Sequence, residues 1–212
     1  MLFRSDPAKD QSYVVHMLDQ SRLARTIFPV GDMTKAEVRA HAARLGLRTA
    51  AKPDSQDVCF ITTTKNAEGE TGRSTFLRRR IELHAAEVVD ETGQRLGEVD
   101  AVELVTLGQR RGVAGGGGTK RFVVDVDVPG RRVTVGPESS LLVDHENGSS
   151  TTWTAEPFSG EVLVQCSAHG EPRRATLVLI DDDSVRVQWQ HPERRISPGQ
   201  SLVFYDPSNS WV

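Results

Sequence analysis

Several short stretches carry residue types that do chemistry or bind. In S-Q-D-V-C-F, residues 55–60, Cys59 stands between polar Ser55, Gln56 and Asp57 and apolar Phe60. A reactive thiol needs access and a neighbour that favours thiolate. Asp54 and Asp57 are anions and act the other way if close. The residue types therefore leave two readings of Cys59 open: a packed small hydrophobe, or a sulfur that does chemistry. Cys166 sits in the alternating V-L-V-Q-C-S-A and reads as a packed strand residue. K-D-Q-S-Y, residues 9–13, sets a cation, an anion, an amide, a hydroxyl and a phenol side by side. Lys9 can meet a phosphate, and Asp10 and Gln11 can read hydrogen-bonding edges. The same letters can open a helix with Asp10 or Ser12 as its cap. P-G-Q, residues 198–200, puts Gln200 on a turn, as a partner contact or as a plain surface amide. L-G-Q-R-R-G, residues 107–112, holds Arg110 and Arg111 between glycines, where a phosphate can come close to the backbone. A solvated turn is the other reading. Gly115–Gly118 lacks the Lys-Ser/Thr ending of a phosphate loop and opens no helical pattern, so a flexible turn is expected there.

The elements that must position these groups change character along the chain. Asp6-Pro7 is a turn signal, followed by apolar residues near helical spacing: Val14, Val15, Leu18, Leu23, Ile27 and Phe28. That stretch has no upstream partner on which to bury its face, which predicts unusual exposure of Val14, Leu18 and Leu23 and a segment missing before Met1. Thr34 and Glu37 spell a capping box, Val38, Ala42 and Leu45 an apolar stripe, and Gly46 a helix stop. V-C-F-I, residues 58–61, looks like a short buried strand. Residues 62–75 read as a loop or linker. From Ile81 onward short strands and turns dominate, with hairpins expected at Thr92-Gly93 and Pro129-Gly130. Residues 138–152 are polar and read as a link. More short strands follow, broken by a turn at Asp181–Asp183, and the pattern suggests small barrels or sandwiches.

Composition narrows the classes. Hydrophobic residues at 37% with aromatics at only 6% fit a globular chain with a lean core. The net charge of −3 excludes an overall basic footprint for nucleic acid, leaving only local clusters at Arg78–Arg80, Arg110–Arg111 and Lys120–Arg121. The cysteines show no C-x-x-C pairing and no histidine at zinc spacing, so no metal is predicted. No signal peptide is legible and no apolar run approaches the ~20 residues of a membrane span. A reduced, cytoplasmic setting without a membrane partner is the expectation.

The stretch from Asp6 to Ile61 (D-P-A-K-D-Q-S-Y through D-S-Q-D-V-C-F-I) closely resembles the bacterial tRNA-specific 2-thiouridylases. T-L-G-Q-R-R-G, residues 106–112, resembles that family's T-L-G-Q-R-K-G, and P-G-Q…V-F-Y, residues 198–205, its C-terminal motif. The resemblance implies an α+β chain. Residues 1–64 would be the α-rich tail of an ATP-pyrophosphatase (PP-loop) domain. A central β-rich, PRC-barrel-like domain would follow over 76–138, and a tRNA-binding β-barrel over 155–212. It implies a sulfurtransferase that forms 2-thiouridine at the wobble position of anticodons, with ATP as cosubstrate. Cys59 would be the persulfide carrier, and Lys9, Asp10, Gln11 and Gln200 would contact tRNA. A second, upstream cysteine would close a disulfide with Cys59 as sulfur leaves. A sulfur-relay protein or cysteine desulfurase would donate the persulfide. The family's S-G-G-V-D-S phosphate loop does not occur in this sequence, and Cys166 lies in the wrong region to be the second thiol. No ATP-binding residue is therefore expected here, and the chain is expected to be inactive alone. The rival expectation is a non-catalytic tRNA-binding scaffold that keeps the barrel. His169 and Gly170 stand roughly where relatives carry a tRNA-binding turn.

Overall fold

The computed structural model describes residues 12–52, 72–113, 120–168 and 170–207. The chain divides into two units, one formed by residues 1–53 with 143–212, the other by 54–142. The fold is α+β: a few short helices and two sheets.

In the second unit the first described element is α3 (Gly72–Arg78), a helix that begins where the polar composition predicts loop as far as residue 75. Its sheet runs β2-β1-β4-β3, built from β1 (Ala86–Asp90), β2 (Arg95–Val99), β3 (Phe122–Asp127) and β4 (Arg132–Gly136). Two antiparallel hairpins join through a parallel β1–β4 pair. Both hairpins fall where Thr92-Gly93 and Pro129-Gly130 place them. Asp90 makes the first turn: its Oδ1 accepts from the backbone of Thr92 and Gln94, each at 3.0 Å, and Gly93 takes φ 85°. Strict alternation would send one of two adjacent valines to solvent. Register shifts at Val88/Val89 and at Val123/Asp125 let Val88 with Val89, and Val123 with Val124, both be buried. The core is Ala86, Val88, Val99, Val102, Val123, Val133 and Val135.

In the first unit the sheet runs β5-β8-β7-β6-β9, from β5 (Leu142–Gly148), β6 (Gly160–Gln165), β7 (Arg173–Leu179), β8 (Val185–Arg194) and β9 (Val203–Tyr205). Alternation works here as written: Val185, Val187 and Trp189 point inward while Arg186, Gln188 and Gln190 face out. With Val162, Val164, Ala175, Leu177 and Phe204 they form the core. The edges curl toward each other: a Cβ on Gly148 of β5 would lie 3.7 Å from Leu202, just before β9. β5 replaces the link expected over 138–152. Its residues are mostly exposed, so no alternation marks it. It is held by pairing with β8 and by Gln188 donating to the Asp144 carbonyl at 3.0 Å.

The helical stretch expected before residue 30 is broken into a 3-10 turn (Ser12–Val15) and α1 (Gln20–Leu23). Asp19 starts α1 afresh, because its carboxylate accepts from the Arg22 N–H at 2.8 Å. Val14 is 55% exposed and Ile27 82%, whereas Leu18 and Leu23 are half-buried. α2 (Lys35–Arg44) has both predicted ends. Thr34 and Glu37 exchange the two capping bonds, at 2.7 and 3.3 Å. At the other end Gly46 takes φ 67°, and its N–H and that of Leu47 bond the Ala43 and Ala42 carbonyls. The apolar stripe is not buried, and Leu45 is 61% exposed.

With no buried side chain of its own, α2 depends on its caps. Thr34→Ala should lower hydrogen-exchange protection of the Val38–Arg44 amides on the order of fivefold. Hydrogen bonds from Thr34 hold the Glu37 carboxyl below its ordinary value. That contribution is complete above the unfolded pKa, about 4.3, and is lost as pH falls through the lower folded value. Protection that fades between pH 7 and 5 would contradict this.

Candidate functional site

Gln200 stands at the exit of a tight turn. Pro198 supplies the fixed φ of its second residue and Gly199 the positive φ, 84°, of its third, and the Gln200 N–H closes the turn on the Ser197 carbonyl at 3.1 Å. Gln200 is exposed. A few positions on, the chain enters β9, where the Tyr205 hydroxyl donates to Gln165 Oε1 at 2.7 Å and fixes the strand against β6.

The stretch between that turn and β9 meets the N-terminal segment. The Tyr13 hydroxyl donates to the Ser201 carbonyl at 3.0 Å. The phenol is half-buried, and burial, then the neighbouring Cys166, push its pKa up. It therefore stays neutral and keeps the proton it donates. Tyr13 is the last residue of the K-D-Q-S-Y stretch, and this bond ties it to a residue 188 positions away. Beside it runs a cleft of about 630 Å³, with His16, Leu18 and Leu23 on one side and Glu146, Arg195 and Gln200 on the other. Glu146 is tied in by the Ile196 N–H, which donates to its Oε1 at 2.7 Å.

Of the site residues that the resemblance implies, Gln200 lies among the described residues. Cys59, Lys9, Asp10, Gln11 and His169 lie outside the described residues, as does the V-C-F-I strand. Cys166 follows β6, is half-buried and packs against the barrel core. Burial pushes its thiol up to about 11; Arg173 pulls it back, while Glu193 and Glu146 add to the rise. That is an inert packed thiol, the reading its alternating sequence supports. Pattern alone does not reveal Tyr13, because its partner is a backbone carbonyl remote in sequence. Among the described residues no group of three or more His, Cys, Asp or Glu is arranged to hold a metal. No described helix is long and apolar enough to cross a membrane.

Tyr13→Phe should speed amide exchange over Val14–Leu18 about fivefold, the worth of one net hydrogen bond of about 1 kcal/mol; unchanged exchange would mean the bond anchors nothing. In a Cys59→Ser chain the Cys166 thiolate at pH 8 is about 100-fold scarcer than that of an ordinary thiol. Alkylation should be correspondingly slow, rise with pH towards 11, and become fast in denaturant. Rapid labelling of the folded chain at pH 8 would contradict the buried environment.

Comparison with known proteins supplies the context. A family model described as "tRNA methyl transferase HUP domain" matches residues 1–63, and one described as "Aminomethyltransferase beta-barrel domain" matches residues 144–209. The curated relatives include proteins named tRNA-specific 2-thiouridylase MnmA from Roseiflexus castenholzii, 39% identical over 95% of this chain and 54% of the relative. Those from Acidothermus cellulolyticus and Thermobifida fusca are each 41% identical over 95% of this chain, covering 55% and 54% of the relative. The chain thus spans about half the length of the curated relatives it matches. The relatives match along nearly all of this chain, the first model only along its opening part, so the relatives' name is the more specific guide. With both family models in order and this identity along 95% of its length, the chain is similar to the tRNA-specific 2-thiouridylases.

Proposed function

We propose that this chain is the tRNA-holding and sulfur-carrying portion of a 2-thiouridine-forming sulfurtransferase. The observation that carries this reading is the 39–41% identity to proteins of that name along 95% of the chain. In this reading tRNA is the substrate, and Lys9, Asp10 and Gln11 on one side and Gln200 on the other contact it. The Tyr13–Ser201 bond supports the grouping, since it ties the end of the first segment beside the turn that carries the second. An unstacked anticodon base is the kind of RNA feature that amide and charged side chains read.

Cys59 takes the sulfur. It receives it from the persulfide of a cysteine desulfurase or relay protein and holds it as its own persulfide, whose outer sulfur is a good nucleophile. A second thiol releases the sulfur by attacking the inner one and closing a disulfide. Cys166 does not fit that second role: it is half-buried and packed, and its thiol is pushed up to about 11. ATP is the family's cosubstrate and would activate the uridine oxygen. The sequence has no S-G-G-V-D-S loop to hold its phosphates, so no step through ATP is assigned to this chain. The setting is the reduced cytoplasm.

Sulfur loading tests the reading. Incubated with a cysteine desulfurase and cysteine carrying radiolabelled sulfur, the chain should take up label that reducing agents remove. Cys59→Ser should abolish uptake and Cys166→Ser should not. With ATP and unmodified tRNA added, no 2-thiouridine should form from this chain alone. Label that persists in the Cys59→Ser chain, or thiolated tRNA from the chain alone, would overturn it.

A further inference from the structure

The T-L-G-Q-R-R-G segment of the second unit is built, not merely exposed. Thr106 to Gln109 form a tight turn, closed by the Gln109 N–H on the Thr106 carbonyl at 3.0 Å. Gly108, the third residue, takes φ 75°. The same glycine and Gln109 together face Val123 at the start of β3. The Gly108 N–H donates to the Val123 carbonyl at 2.7 Å, and the Val123 N–H donates to the Gln109 carbonyl at 2.9 Å. This is a glycine-dependent bulge fused to a turn, and only a residue at ease at positive φ fits it. The Gln109 side chain then braces the loop from within. Its Oε1 accepts from the Thr106 N–H at 3.0 Å and its Nε2 donates to the Arg111 carbonyl at 2.8 Å.

The brace holds two exposed arginines outward, between Gly108 and Gly112, the latter at φ 73°. Two other arginines of this unit are neutralised: Arg95 pairs with Glu98 at 3.1 Å and Arg132 with Glu87 at 2.8 Å. Among the described residues Arg110 and Arg111 have no carboxylate partner, and the backbone N–H groups of Arg110, Arg111 and Gly112 have no hydrogen-bond acceptor. β3 is an edge strand, and Lys120 and Arg121 stand immediately before it, on the chain that the bulge pairs with. Asp90 feels the Arg121 charge and partly offsets it; Lys120 is exposed and unpaired among the described residues. A chain of net charge −3 thus keeps Arg110, Arg111 and Lys120 without a carboxylate partner among the described residues, along the β3 edge.

We propose that the Thr106–Gly112 loop is a phosphate-binding site for the sugar–phosphate backbone of RNA, with Arg110 and Arg111 as its ligands. The inference rests on the reading that the chain binds tRNA. It assigns this loop a part in holding the strand, independent of the bases. Guanidinium groups match phosphate bidentately, and adjacent free N–H groups complete an anion cradle. Contact at the backbone positions an RNA without reading its sequence.

The test is a salt series on the full chain, from ~50 to ~200 mM, by fluorescence anisotropy with unmodified tRNA and an unrelated folded RNA of equal length. R110A/R111A should weaken both RNAs by a similar factor. It should flatten the dependence of log affinity on log salt by about 2, roughly one for each phosphate that is no longer neutralised. R110K/R111K should keep the slope while binding more weakly than the wild type, because lysine keeps the charge but not the fork. Thermal unfolding should be the same for all three chains. An unchanged slope in R110A/R111A, or a weakening confined to tRNA, overturns the proposal. If the wild-type chain binds both RNAs equally and the alanine variant binds neither, the phosphate site stands and the tRNA-specific reading falls. If the wild type binds neither RNA, both fall.

Discussion

Residues 13–52 bury no side chain, so their position depends on where they are tied. The tie with a definite partner is the Tyr13 hydroxyl on the Ser201 carbonyl. A sheet edge leaves backbone acceptors open, and Ser201 sits just before edge strand β9. Satisfying that acceptor with a phenol closes an exposed group and fixes a segment that lacks a core of its own. The phenol is neutral at ordinary pH, the form that donates, and burial shifts it further in that direction. Through this bond Tyr13 sits beside the residue that follows the P-G-Q turn, and the cleft nearby is lined by residues of the N-terminal segment and of the stretches around β5 and β9.

Glycine geometry sets much of the rest. Gly199 and Gly108 each sit third in a tight turn at positive φ. One turn presents an amide, Gln200, the other a pair of guanidinium groups. In both, an exposed polar or charged side chain follows the glycine directly or closely, so the turn that the backbone requires also presents that group. Neither turn needs a large core beneath it. This suits a chain whose two cores are assembled mainly from valines.

Local signals in the sequence translate well. The capping box of Thr34 and Glu37, the stop at Gly46, both hairpin turns and the alternation of β8 are visible because each rests on residues within a few positions of one another. Non-local features are hidden. β5 has no alternation, since it lies at an edge and shows polar residues on both faces. The break at Asp19 is masked by apolar spacing, which does not register a side chain competing for the backbone. The valine doublets in β1 and β3 hide their bulges, because a register shift depends on the partner strand. For the site, the position of Gln200 is legible, but Tyr13 is not, since its partner is a backbone carbonyl. Gln109 shows only as a letter between glycine and arginine, although its amide braces the whole loop.

The central claim is that the K-D-Q segment and the P-G-Q turn form one tRNA-facing surface. Hydrogen exchange on the full chain, with and without unmodified tRNA, tests it most directly. The account predicts that tRNA slows exchange together at residues 9–16 and at Ser197–Ser201. Protection of only one of these segments, or of neither while tRNA is bound, would contradict it.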